Sequence, residues 1–398
     1  MKSHRLQLSP ERTYWPAVFS LFMGVTGLIA AEFIPVSLLT PISQELNITE
    51  GAAGQSVTVV GFFAVIASLT LAPLAKNMNR RLILLILSSL LVLSNILVAL
   101  APNYISLLVG RCLLGLCVGG FWSMAPAVTL QLVPSKDISR AFSIIYAGVS
   151  VATIISLPLA SYLEGVFGWR NVFFFSALLS IVALIWQFLS LPSLPAQAGN
   201  NFKNMMALLK VRWILAGIGA IIFSYGGYHL FFTYLRPFLE YDLALSAYSL
   251  STVLLFFGLA SCAGTVLAGW FLGQSFRKTM YITLLFFVLL ASALFISNRN
   301  VTQDTLLIIL WGFMFGFITV GWSTWIARTL ADKAELIGGL TVGAIQFSIG
   351  LAAAVGGFIF DNLNIDGIFI TAVVAFILAM ALTIISFSLF TKVTGRLA

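Results

Sequence analysis

Apolar residues in this chain come in long runs of about 20, separated by short polar stretches. A run of that length crosses the hydrocarbon of a bilayer as an α-helix, whereas a membrane β-barrel alternates over segments of about ten. The runs and their turn residues predict twelve helices, over 14–40, 53–75, 82–100, 104–131, 140–163, 169–191, 211–235, 246–273, 279–297, 304–330, 337–360 and 367–390. The longest connection, PSLPAQAGNNFKN at 192–204, follows the sixth run. The expected organisation is a six-helix bundle over 1–192, a cytoplasmic connection over 193–210 and a second six-helix bundle over 211–398.

Composition agrees. The chain is 60% hydrophobic and 9% charged, with mean hydropathy +1.05, where soluble domains carry roughly a quarter charged residues. It reads as an all-α integral membrane protein with the bilayer as its surroundings. The net charge of +8 would point to nucleic acid in a soluble protein, but here its distribution gives another reason. Of the 21 Lys and Arg, Arg111 falls inside a run, and Arg170, Arg236 and Arg299 fall on the side opposite the termini. The other 17 share the side of both termini, which is therefore expected to be cytoplasmic. No nucleic-acid partner is needed. Cys112, Cys117 and Cys262 lie in apolar runs, and no zinc-ligand spacing or signal-peptide pattern is present. No metal or other cofactor is expected.

APLAKNMNRR at 72–81 and GWFLGQSFRK at 269–278 each begin with a small residue and end in two adjacent cations. They follow the second helix of each half. Twelve helices in two echoing halves resemble the major facilitator architecture, whose helices one, four, seven and ten line a central cavity.

Three ionisable residues stand well inside the spans on such helices: Glu32, Arg111 and His229. Intramembrane charge is costly and points to function. Glu32 and Arg111 each lie about seven residues from the outer end of their helix, roughly 10 Å deep. We expect the two to pair, directly or through water. Burial disfavours the carboxylate and a nearby guanidinium favours it. A carboxyl whose balance changes between conformations suits proton coupling; a static pair that fixes packing is the alternative. His229, beside Gly226 and Gly227, can carry protons or hydrogen-bond a substrate or a neighbouring helix. Pro35, three residues outward of Glu32, removes a backbone hydrogen bond and marks a possible hinge.

Gly148, Ala152, Ser156 and Ala160, with Pro158 among them, form a small-residue stripe expected to pack between the halves. Aromatic residues gather on the proposed cavity helices: Phe121 and Trp122; Tyr225, Tyr228, Phe231, Phe232 and Tyr234; Trp311, Trp322 and Trp325. Trp322 adjoins Ser323 and Thr324, and Gln346 adds an amide. Such a cavity suits a purine with its ribose, or an amphipathic drug.

The pattern Arg111–Gly115–Gly119 (R-x-x-x-G-x-x-x-G) resembles the helix-four motif of the drug:proton antiporter group of the major facilitator superfamily. The EFxPV segment around Glu32, Pro35 and Val36 resembles its sugar-efflux branch. EFIPVSLLTP (32–41), EGAAGQSVTV (50–59), GGFWSM (119–124), GWRNVF (168–173), FFTYLRP (231–237) and VGWSTWIAR (320–328) resemble nucleoside-exporting members. The resemblance implies proton antiport in a bacterial inner membrane, with a purine ribonucleoside such as inosine or guanosine as substrate. Export of sugars or chloramphenicol-like drugs is the alternative. The superfamily loop after helix two usually reads G-x-L-x-D-R-x-G-R-R. Here Ala72, Lys76, Asn77 and Asn79 replace four of its residues, and Arg80 and Arg81 remain. The cytoplasmic side then closes by other contacts, or less firmly.

The expected roles follow. Glu32, Arg111 and His229 serve proton coupling; Trp122, Tyr225, Tyr228, Phe232, Trp322, Ser323, Thr324 and Gln346 contact substrate; Pro35, Arg80, Arg81, Gly148 and Pro158 serve gating. No phosphate loop is present, so ATP is not expected to drive transport. No nucleophile–base set suggests an enzyme, and a channel would lack saturable coupling. A monomer is expected.

Overall fold

The computed structural model describes residues 13–74, 78–134, 137–195, 202–330 and 334–395. Lys2, Arg5, Arg12, Lys76, Lys136, Lys333 and Arg396, which entered the charge asymmetry, lie outside the described residues, as does Asn77. Ten helices are separate: α1 Trp15–Ser37, α2 Glu50–Leu74, α3 Arg80–Ala99, α4 Tyr104–Leu132, α5 Ile138–Phe167, α6 Trp169–Ser190, α7 Arg212–Thr233, α8 Ala247–Gln274, α9 Phe276–Ile296 and α10 Val301–Thr329. An eleventh stretch, Ala334–Thr394, is broken at Asn364, whose φ of 56° no helix accommodates. It makes two spans, α11 (334–363) and α12 (365–394). Among the described residues eleven stretches are long and apolar enough to cross a membrane, the last of them counted as one across the break at Asn364; divided there, the twelve match the expected runs one for one.

The sequence supplies the ends. Asn103 caps α4, accepting from Ser106 N at 3.0 Å, and the Ser106 hydroxyl accepts from Asn103 N at 3.3 Å. Ser246 and Asn300 cap α8 and α10 by the same reach to the third residue on. The fifth helix of each half turns into the sixth at one left-handed residue: Gly168 (φ 80°) in the first, Asn364 in the second.

Four short elements were not anticipated. The chain breaks at Leu38, inside the first expected run, and resumes as a helix over Leu39–Leu46. Phe202–Leu208 is helical within the stretch expected to be a plain connection. After α7, a short turn Leu235–Pro237 leads into a π-helical turn, Phe238–Asp242.

Large apolar side chains point outward over much of the surface, among them Leu189, Val266, Ile296 and Phe358. This is the covering a bilayer requires. The halves α1–α6 and α7–α12 meet along α2 with α11 and α5 with α8. Glycines set both crossings. A methyl at Gly61 would lie 2.6 Å from the Gln346 carbonyl, and one at Gly258 would lie 2.9 Å from the Ile154 Cα. We call the face where α1 begins and α12 ends proximal, and the opposite face distal.

Candidate functional site

Arg111 is placed by a ladder between α2 and α4, which run parallel. A methyl at Gly115 would meet the Val60 carbonyl at 2.5 Å, and one at Gly119 would collide with the Ala64 carbonyl. The next rung toward the distal face is Arg111, whose Nε donates to the Ser56 carbonyl at 3.2 Å. The R-x-x-x-G-x-x-x-G spacing therefore matches Ser56, Val60 and Ala64 rung for rung. Glycine lets the backbones close, and the arginine is held where they do.

The other guanidinium contacts stand in place of the direct form of the expected pair. Arg111 Nη1 donates to the Ala31 carbonyl at 2.7 Å and Nη2 to the Glu32 carbonyl at 3.3 Å. Pro35 explains the first: it has no N–H, so the carbonyl four residues back, Ala31, has no helical donor. The arginine fills that gap. Among the described residues no ion pair joins the Glu32 and Arg111 side chains. The two residues share a level, as expected, but the guanidinium is engaged by backbone.

The Glu32 carboxylate turns to the other half instead. Its Oε1 accepts from Gln346 Nε2 of α11 at 3.3 Å. Both side chains are about 95% buried. Gln346 Oε1, at the far end of the same amide, is buried and accepts from no described residue. A carboxylate and a neutral amide thus meet between the halves within the membrane-spanning segments, where an unpaired polar group is costly.

Around His229 an aromatic box forms. Its Nδ1 lies 2.9 Å from the Tyr225 carbonyl, which can only accept, so Nδ1 carries the hydrogen and Nε2 is left as an acceptor. Tyr228 stacks on Phe315 of α10 with ring centroids 3.7 Å apart and on Phe232 at 5.3 Å. Phe33, the residue after Glu32, meets Phe232 edge-on at 5.5 Å. The box therefore adjoins the Glu32–Gln346 contact.

Other expected site residues lie elsewhere. Trp322 is buried inside the second half, edge-on to Trp325 at 5.6 Å. The Ser323 and Thr324 hydroxyls return to carbonyls of their own helix, Thr319 and Val320, at 2.9 and 2.7 Å. Trp122 is half-buried against Phe121 and Tyr146 of the first half. Gly148 does not pack between the halves: a methyl there would meet the Phe22 carbonyl of α1 at 2.7 Å. The inter-half contact of α5 falls at Thr153 and Ile154. Pro158 leaves the Ile154 carbonyl without its helical donor there, as Pro35 does at Ala31. Arg81 donates to the Phe188 carbonyl at 2.8 Å, and Arg80 N to Leu194 O at 2.8 Å, both within the first half.

Sequence reading did not single out the distal seam. Arg236, buried after α7, crosses to the other half, donating to the Ser37 carbonyl and pairing with Glu164 at 3.0 Å; Glu240, four residues on, is its second acid. Asp361 of α11 accepts from Thr49 Oγ1 at 2.7 Å and Gly51 N at 3.0 Å, at the start of α2. Tyr241 donates to Glu50 at 3.0 Å. All five ion pairs among the described residues lie on this face, and they engage Arg170, Arg236 and Arg299. The signal was the three isolated distal cations themselves. On the proximal face the bonds among the described residues include Thr13 to Asp137, Arg81 to Phe188 and Arg277 to Phe387, each within one half.

Comparison with known proteins places the architecture. Over 354 residues, 89% of each chain, the sequence is 41% identical to the purine ribonucleoside efflux pump NepI of Salmonella paratyphi B and to that of Salmonella enteritidis. A bacterial homolog of the human lysosomal transporter Spinster, inward-facing and unoccupied, superposes with TM-score 0.73 at 14% identity, over 96% of this chain and 98% of that one. The nucleoside transporter NupG superposes with TM-score 0.72 at 12% identity, over 94% and 100%. Both solved structures share the fold alone. The sequence model of the Major Facilitator Superfamily matches residues 15–352. This twelve-helix chain, with its two related halves, is a member of the Major Facilitator Superfamily, a membrane transporter and not an enzyme.

Proposed function

We propose that this protein exports purine ribonucleosides such as inosine and guanosine in exchange for protons. It does so as a monomer in a bacterial inner membrane, with both termini cytoplasmic and the distal face outside. The observation that carries the reading is the buried Glu32 carboxylate, hydrogen-bonded across the halves to Gln346 beside an aromatic box. The substrate class comes from the efflux pumps to which the chain is 41% identical. The excess of Lys and Arg on the proximal side supports the orientation.

In this reading the box of Tyr225, Tyr228, Phe232 and Phe315 stacks the base, and His229 Nε2 accepts from a ribose hydroxyl. Glu32 is the group that gains and loses the proton. Arg111, held by three carbonyls, fixes α1 against α2 and α4 and keeps positive charge beside the Glu32 backbone. Protonation from the distal side neutralises the carboxylate and loosens its tie to the second half, and the substrate leaves outward. Inside-out vesicles with an imposed pH gradient test this. Inosine uptake should be driven by the gradient and saturate. Equal uptake of arabinose or chloramphenicol with no competition by inosine would sink the nucleoside assignment.

A further inference from the structure

We propose that the Gln346 amide relays the protonation state of Glu32 to the substrate by reversing which of its ends faces the ligand. This rests on the nucleoside reading above and adds a residue role and a substrate requirement to it.

A primary amide is a plate with a donor at one end and an acceptor at the other. An ionised carboxylate only accepts, so it holds Nε2 toward itself, as the 3.3 Å contact to Glu32 records. The same contact points Oε1 away from Glu32, and Oε1 is the buried atom that accepts from no described residue. That acceptor selects a ligand N–H, such as the lactam N1–H of a 6-oxopurine. When Glu32 takes a proton, its new O–H donates to Oε1 and the amide turns over. The end facing the ligand becomes N–H, donor meets donor, and the ligand is expelled. No covalent bond changes except the O–H formed on Glu32. Backbone anchoring of Arg111 leaves the carboxylate free to exchange with the amide.

The ionisable neighbours are few. α4 brings Arg111 with Cys112 and Cys117, and Tyr104 at its end; α7 brings Tyr225, Tyr228 and His229, and Arg212 at its end. From α2 come only Glu50, and from α11 Glu335 and Asp361, all at helix ends; α5 and α6 bring Arg140, Glu164 and Arg170 at their ends, with Tyr146 and Tyr162 between.

Equilibrium binding of inosine to the purified full chain, measured between about pH 5 and 9, tests the relay. Wild-type affinity should fall by about tenfold per pH unit below the protonation of Glu32, because proton and ligand exclude each other. In Gln346→Leu binding should be weaker and flat with pH. In the wild type, 1-methylinosine, which lacks the N1 donor, should bind on the order of tenfold more weakly than inosine and without pH dependence. The analogue decides the matter even if the variant fails to fold. A Gln346→Leu protein that keeps the wild-type pH slope, or 1-methylinosine that binds like inosine, overturns the relay and leaves nucleoside export standing. Wild type that binds inosine at no pH overturns the substrate reading and the relay with it.

Discussion

The two halves carry the same ladder, but only one carries a charge on it. Gly115 and Gly119 seat α4 on α2; Gly312 and Gly316 seat α10 on α8, where a methyl at Gly312 would meet the Phe257 carbonyl at 2.7 Å. Gly312 stands to Phe257 as Gly115 stands to Val60, at one sequence offset throughout. The same offset relates Arg80 to Arg277 and Glu32 to His229. At Arg111 the correspondence breaks, because its counterpart is Ile308, fully buried. A second break accompanies it. Pro35 corresponds to Phe232, which keeps its N–H, so no carbonyl is freed at the matching place in the second half. The glycines are therefore needed for packing with or without a cation. The arginine and the proline are needed together, in one half only, and that is the half where the carboxylate sits.

Replacing the charge should break this comparison most sharply. Arg111→Met leaves the Ala31 carbonyl, which has no helical donor, buried and unpaired at a cost of about 1–3 kcal/mol, and it removes the second donor that the Glu32 and Ser56 carbonyls have besides their own helix. Gradient-driven inosine transport should drop by about a hundredfold or more, since a misplaced coupling group costs that much. Ile308→Met, at the matching rung, should cost under about 1.5 kcal/mol of stability and leave transport near wild type. Equal loss in both variants would show that the rung is only packing.

The carboxyl and its counterpart come next. Glu32→Gln should abolish accumulation of inosine against its gradient, while downhill exchange continues without pH dependence. His229→Gln keeps a hydrogen-bonding side chain, and so should raise the half-saturating inosine concentration yet retain the response to the pH gradient. Gradient-driven transport at wild-type rate in Glu32→Gln would remove the coupling role.

The glycines should separate stability from transport. Gly115→Ala and Gly312→Ala each push a methyl against a carbonyl, and overpacking of this kind costs roughly 1–3 kcal/mol. Both should lower the melting temperature. Only Gly115→Ala, which shifts Arg111 off Ser56, should also depress transport well beyond its effect on folded protein.

Period and charge made the helices legible, because a bilayer allows few solutions to a 20-residue apolar run. The level of Glu32 and Arg111 was equally readable from counting residues. What each side chain touches was not. Pro35 was read as a hinge, yet it also opens the Ala31 carbonyl to Arg111, a contact between helices remote in sequence. Gln346 was placed among substrate contacts, but its bond to Glu32 spans 314 residues, beyond any local pattern. Trp322 shows the opposite failure. Its polar neighbours suggested a lined cavity, but Ser323 and Thr324 satisfy their hydroxyls on their own helix, so the indole packs inward. Ser56, Val60 and Ala64 carried a usable signal, since their spacing copies the motif opposite.

The smallest expected effect lies where the halves meet. Asp361 of the second half sits at the first turn of α2 in the first, holding Thr49 and Gly51. A carboxylate at a helix N-terminus is worth about 0.3–1 kcal/mol beyond a neutral acceptor. Asp361→Asn keeps an oxygen for the Gly51 N–H and loses the charge together with the acceptor for the Thr49 hydroxyl. The distal seam should then open up to about fivefold more often, since about 1 kcal/mol multiplies a minor population by that much. Arg236→Gln should open it further, because it loosens Ser37 and Glu164 together. A reporter at the seam can read this: Ser37→Cys, buried here, in a chain with Cys112, Cys117 and Cys262 replaced. Its labelling by an impermeant maleimide from the distal side should quicken in Asp361→Asn, quicken more in Arg236→Gln, and stay unchanged in Arg81→Gln, whose bond lies within one half. Equal labelling in all three would mean that apolar packing of α2 on α11 seals the seam, and that its polar ties only decorate it.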